Sequence, residues 1–149
     1  MAAIRETIEI SRRPEEVFAY LDDLSRHRDW QTQIVHIEVQ TDGPTRVGTR
    51  VQQTLRIGRR EQKMSYEITE HDPPRSYGFR GIDGPVRPIG HGTVEPIGDG
   101  ERTRMTIELD FEGRGPFGKL LRPLVVRQAA KQVPMNQQQL KERLEGDRA

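Results

Sequence analysis

The sequence predicts an α+β domain: a curved antiparallel sheet of about seven strands wrapped around a long C-terminal α-helix, with two short helices after the first strand. Period-two alternation recurs across residues 49–112. It is cleanest at the end, where Met105, Ile107, Leu109 and Phe111 alternate with Arg104, Thr106, Glu108 and Asp110. A single long stretch of helical spacing, residues 116–145, then closes the chain. Only that stretch is long and apolar enough to cover the concave face of a curled sheet. A sheet curled around one helix leaves a cavity between them.

The elements follow in order. Residues 4–10 (IRETIEI) alternate as a first strand. Pro14 suits a first helical position, and Glu15 and Glu16 sit beside the positive end of the helix dipole. Val17, Phe18, Leu21 and Leu24 recur at helical spacing, and a second short helix covers residues 25–30. Residues 34–40 form the second strand, ended by Asp42-Gly43-Pro44. A meander follows. Residues 49–57 put Val51, Gln53, Leu55 and Ile57 on one face, and Gly58-Arg59 makes a tight turn. Residues 61–70 put Met64, Tyr66 and Ile68 on one face, and residues 75–82 align Tyr77 with Phe79. Glycine and proline crowd residues 83–92, so poor or bulged pairing is expected there. Residues 92–97 and 102–112 form the last hairpin. In the terminal helix Phe117, Leu120, Leu121, Leu124, Val125 and Gln128 form the stripe expected to face the sheet, and Leu140 and Leu144 resume it. Pro134 predicts a kink or break between residues 130 and 135.

The chain of 149 residues is read as one domain, 1–149. Apolar content of 32% and a mean hydropathy of −0.82 imply a thin interior under a charged skin. A net charge of +1 gives no electrostatic case for nucleic acid or an anionic membrane. The absence of cysteine excludes disulfides, thiolate metal sites and cysteine nucleophiles. The N-terminus MAAIRETIEI lacks a secretory apolar region, and no run approaches ~18 apolar residues. A soluble, cytoplasmic protein without stable membrane insertion is expected.

The stretches TIEISRRPEEVFAYLDDLSRHRDW, VGTR, YEITEHDPPRSYGFRG and FEGRGPFGKLLRPLVVR, in this order, resemble the START-like helix-grip (SRPBCC) superfamily, in particular its polyketide cyclase/dehydrase-like branch. The resemblance implies a sheet gripping the last helix, with a tunnel between them. It implies binding of lipids, sterols or polyketides, or cyclisation and dehydration of aromatic precursors. It carries no universal catalytic residue. Two departures stand out: VRPIGHGTVEP is unusually rich in glycine and proline, which would open a portal, and Pro134 interrupts the last helix.

Gly113-Arg114-Gly115-Pro116-Phe117-Gly118 matches G-x-G-x-x-G, but no second parallel strand follows the helix, so a turn into the helix is the reading. His27, His36, His71 and His91 show no ligand spacing, and neither metal nor cofactor is expected. Glu70-His71-Asp72 resembles an acid/base cluster, yet consecutive strand residues point apart, and a solvated strand end is the simpler reading. No serine sits in a nucleophile elbow.

The inward row is more informative. Gln53 and Gln128 interrupt apolar rows, and amides facing an apolar interior are what ligand cavities contain. The expected cavity lining is Trp30, Gln53, Met64, Tyr66, Tyr77, Phe79, His91, Met105, Leu124 and Gln128. The first functional expectation is binding or carriage of a small apolar or amphipathic molecule: a lipid, aromatic polyketide or isoprenoid. A cyclase or dehydratase acting in the same cavity and a groove receiving a partner segment are the alternatives. Catalytic residues, ligand identity and oligomeric state are not specified by the sequence.

Overall fold

The computed structural model describes residues 2–146, the side chain of Ile57 excepted, so the inward face expected for Ile57 lies outside the described residues. The chain runs β1 (Ile4–Ile10), α1 (Pro14–Asp22), a 3-10 helix (Leu24–Asp29), β2 (Ile34–Val39), β3 (Arg50–Ile57), β4 (Arg60–Asp72), β5 (Ser76–Gly81), β6 (Val86–Ile97), β7 (Arg102–Gly113) and α2 (Gly115–Gly146). The strands make one open seven-stranded sheet in the order β1-β7-β6-β5-β4-β3-β2. Every neighbouring pair is antiparallel. This is the expected helix-grip architecture: hairpins build β2 through β7, and β1 adds beside β7 to complete the sheet. Among the described residues no helix is long and apolar enough to cross a membrane.

α1 buries Val17, Phe18, Tyr20 and Leu21, and its Pro14 stands in the first turn as its missing N–H allows. These residues join Ile10, Trp30, Val94, Met105, Leu140 and Leu144 in one apolar cluster. A second, smaller cluster of Leu24, Val51, Tyr66 and Ile68 sits on the β3–β4 side.

Three expectations are corrected. First, β6 does not pair poorly: it runs unbroken from Val86 to Ile97 against β7. Gly90 and Gly92 stand opposite Phe79 and Tyr77, and a Cβ at either glycine would overlap the facing ring. The glycines are seats for two aromatic rings rather than weak points in the sheet. Second, the apolar stripe of α2 is rotated. Phe117, Leu120 and Leu124 are 63%, 73% and 61% exposed, whereas Gly118, Val133, Asn136, Gln137, Leu140 and Leu144 are buried. Gly118 sets this rotation: a Cβ there would strike the carbonyl oxygen of Pro85, so only glycine lets the helix start this close to the β5–β6 turn. Turning Gly118 inward turns Phe117 and Leu120 outward. Third, α2 is not broken at Pro134: the helix runs through it, and through Pro123 as well. The two prolines lie about three turns apart, hence on one face. Both prolines are exposed, on a face open to solvent.

Candidate functional site

α2 packs on β7, β1 and β6 and stands off from β3, β4 and β5. The space left is a cavity of about 390 Å³. The inward rows of β3, β4 and β5 supply its sheet wall, with Gln53, Leu55, Met64, Tyr66, Ile68, Tyr77 and Phe79. α2 supplies Leu121, Leu124, Val125, Gln128, Val133 and Asn136. α1 and the 3-10 helix close one end with Phe18, Leu21, Asp22, His27 and Trp30.

The wall is mainly aromatic. The Tyr66 and Phe79 rings lie 5.3 Å apart, and Phe18 meets Tyr77 edge-on at 6.4 Å. Against it stand polar atoms that the protein leaves unpaired. The Trp30 Nε1–H and the Gln33 Oε1 are buried with no hydrogen-bond partner among the described residues. Both residues line the cavity. Gln53 is only 7% exposed. Burial pushes the Tyr66 and Tyr77 phenols well above their ordinary pKa, so both hydroxyls remain protonated donors. A buried polar atom without a partner is costly, and a ligand or cavity water is the ordinary remedy.

Two histidines enter the cavity. His27 is pushed down from 6.5 by burial, against the opposing hydrogen bond to the Leu21 carbonyl, so it is neutral at neutral pH. Its Nε2 donates to that carbonyl at 2.7 Å. His71 holds Asp22 Oδ1 at 2.8 Å through Nε2. Its ring lies 5.9 Å from that of Phe18.

The expected lining residues Trp30, Gln53, Met64, Tyr66, Tyr77, Phe79, Leu124 and Gln128 are gathered at the cavity, the last two at its exposed mouth. Two are not. His91 lies between Gly90 and Gly92; because those two face the rings on the concave side, His91 faces outward, where its Nε2 meets Glu70 at 3.3 Å. Met105 is fully buried in the main apolar cluster, where its register neighbours are Ile8 and Val94. The cavity draws on the far end of β7, at Ile107, Leu109 and Phe111.

Sequence reading missed Asp22, His27, Gln33, His71 and Asn136. His71 was concealed by a bulge. The β4–β5 register shifts between Ile68 and Glu70, which reverses the alternation set by Tyr66 and Ile68. Glu70 is thereby turned out, toward Ser76 and His91, and His71 is turned in. A bulge leaves no dependable trace in residue spacing. Asp22 comes from the end of a helix far away in sequence, so no local pattern joins the two.

Comparison with solved structures agrees with this architecture. The protein TTHA0849 of Thermus thermophilus superposes with a TM-score of 0.80 at 25% identity, covering 98% of this chain and 99% of that one. The Zhui aromatase/cyclase of Streptomyces sp. R1128 gives 0.82 at 16% identity, covering 95% and 92%. A START superfamily protein of Mycobacterium smegmatis gives 0.78 at 15% identity, covering 96% and 97%. At such low identity the last two speak for the fold alone. No curated protein sequence matches the chain. The sequence profile of the family described as polyketide cyclase / dehydrase and lipid transport matches residues 1–145. With its open sheet gripping α2 around a cavity, the chain belongs to that family, within the START-like superfamily.

Proposed function

We propose that the chain binds a small, mainly apolar molecule bearing a few polar groups, held between α2 and the β3–β5 face. The observation that carries this reading is the pairing of an aromatic cavity of about 390 Å³ with the orphaned Trp30 Nε1–H and Gln33 Oε1. That volume falls within the usual range for small-molecule sites. Phe18, Trp30, Tyr66, Tyr77 and Phe79 offer flat faces, which favour a ring-bearing compound such as an aromatic polyketide or cyclic isoprenoid over a flexible acyl chain. Family membership is consistent with lipids and polyketides alike.

Trp30 is the chain's single tryptophan, so its emission reports on the cavity alone. Titration with aromatic ketones, isoprenoid alcohols and fatty acids should change that emission in a saturable way, most strongly for the ring compounds. Native mass spectrometry should show the added mass one-to-one. Flat emission across all three classes, with no retained small mass, would defeat the reading; a retained polypeptide would replace it with a peptide groove.

A further inference from the structure

We infer that α2 docks the protein on an anionic lipid surface. The outward line of Phe117, Leu120 and Leu124 enters the headgroup layer, the basic residues around it meet acidic headgroups, and the cavity mouth faces the bilayer. The docking surface lies outside the cavity and goes beyond the binding reading.

Shape and charge both support it. Phe117, Leu120 and Leu124 recur at three- and four-residue steps, so they stand in one line along the helix, and all three are exposed. Arg127 and Lys131 continue that line at the same spacing. Leu124 and Gln128 also border the cavity, so the ridge runs along its mouth. The net charge of +1, which alone argued against an anionic membrane, conceals a local imbalance: from Gly113 to Lys141 the chain carries six basic residues and no acidic one. Lys119, Arg127 and Lys131 are exposed and make no ion pair among the described residues. Across the mouth stands the β3–β4 hairpin, whose Leu55, Gln62 and Lys63 line the cavity and whose Arg59, Arg60 and Lys63 are exposed. Its turn lies at the same end of the sheet as the start of α2, since Tyr66 pairs with Gly81 and Val86 with Gly113. Nearby acids are already engaged: Glu61 by Arg56, Glu112 by Arg114 and Asp110 by Arg122.

An anionic bilayer suits this surface better than any other occupant. A second copy would set basic residues against basic residues, which repel. A folded protein partner needs about 1,000 Å² of complementary surface, and three side chains on one convex helix do not supply it. A bilayer needs no matching groove: it takes apolar side chains into its acyl boundary and offers acidic headgroups to the cations beside them. Among the described residues no helix is long and apolar enough to cross a membrane, so α2 lies on the surface. For a cavity that takes an apolar molecule, as proposed above, such docking spares that molecule a passage through water.

The test is co-sedimentation of the full chain with vesicles of equimolar phosphatidylserine and phosphatidylcholine, set against vesicles of phosphatidylcholine alone. The mixed vesicles should bind the protein about tenfold more tightly than the neutral ones, and high salt should release it. Leu120→Glu should weaken binding about tenfold with an unchanged melting temperature, because Leu120 is exposed. Arg127→Gln combined with Lys131→Gln should weaken it roughly twentyfold, about fivefold for each charge. Val47→Glu, exposed on the loop before β3 at the opposite end of the sheet, should bind as the parent does. No sedimentation with either vesicle, equal binding to both, or Leu120→Glu binding at the parent level overturns the docking surface. A dimer in sedimentation equilibrium that Leu120→Glu dissociates overturns it too, and assigns the ridge to a second copy. Trp30 emission with ring ketones in the absence of vesicles is a separate readout: a flat response there defeats the binding reading and leaves the docking surface standing.

Discussion

The two halves of α2 rest on different supports. The C-terminal half is stitched to β1 and the turn after it. Gln137 Nε2 donates to the Glu6 carbonyl, Lys141 Nζ to the Glu9 carbonyl, and Glu145 accepts from the Ser11 N–H. Leu140 and Leu144 sit there at 0% and 5% exposure among Ile10, Val17 and Met105. The N-terminal half has no such seat. It touches the sheet through Gly118 and through Arg122, which donates to the Phe111 carbonyl and pairs with Asp110. Beyond those points it spans a void, with Leu120 and Leu124 turned largely to solvent. Stability is concentrated at one end of the molecule and recognition at the other. A filled core loses contacts when it is changed, whereas a half-empty one has fewer to lose.

Leu140→Ala should have the largest effect and would break the contrast if it did not. Its site is closed on all sides, so the variant should lose about 3 kcal/mol in denaturant unfolding while ketone binding, read by Trp30, keeps its affinity in the folded fraction. Phe79→Ala should cost less, about 1–2 kcal/mol, because one face of its ring already borders the cavity. It should alter which ligands bind. If Phe79→Ala proved as costly as Leu140→Ala, the cavity end would be a packed core after all.

The smallest effect sharpens the contrast by pH. The folded pKa of His27 lies below 6.5 because of burial. Well above 6.5 neither folded nor unfolded His27 is protonated, and its neutral burial has no linkage cost. As pH falls below 6.5 the unfolded chain binds the proton first, so stability drops until the lower folded pKa is passed. Melting temperature should therefore decline as pH falls through 6.5, and His27→Gln should flatten part of that slope. An identical slope in the variant would assign the acid sensitivity to other groups.

Sequence spacing made the well-supported parts legible. Alternation placed Gln53, Met64, Tyr66, Tyr77 and Phe79 on one concave face, and register pairs Gln53 with Met64 and Phe79 with Ile68 as that alternation requires. Spacing failed where one backbone contact overrode it. A bulge flipped the phase at Glu70 and His71, and the close approach of Gly118 to Pro85 turned Phe117 and Leu120 of α2 outward. The Asp22–His71 pair joins a helix end to a strand end, which only the folded chain brings together. The segment read as a weak strand was misjudged because its glycines were counted as missing side chains, when each is filled by a neighbour's ring.

Those rings give β6 an unexpected authority. Gly90 and Gly92 do not line the cavity, yet Phe79 and Tyr77 can lie back only because nothing projects from the strand behind them. A single methyl group at either glycine would tip the ring forward and shrink the chamber from its rear. The dimensions of the chamber are thus set partly by two positions that its occupant never meets. Changing what fits inside need not involve the lining; it can be done from the back of the wall, one atom at a time.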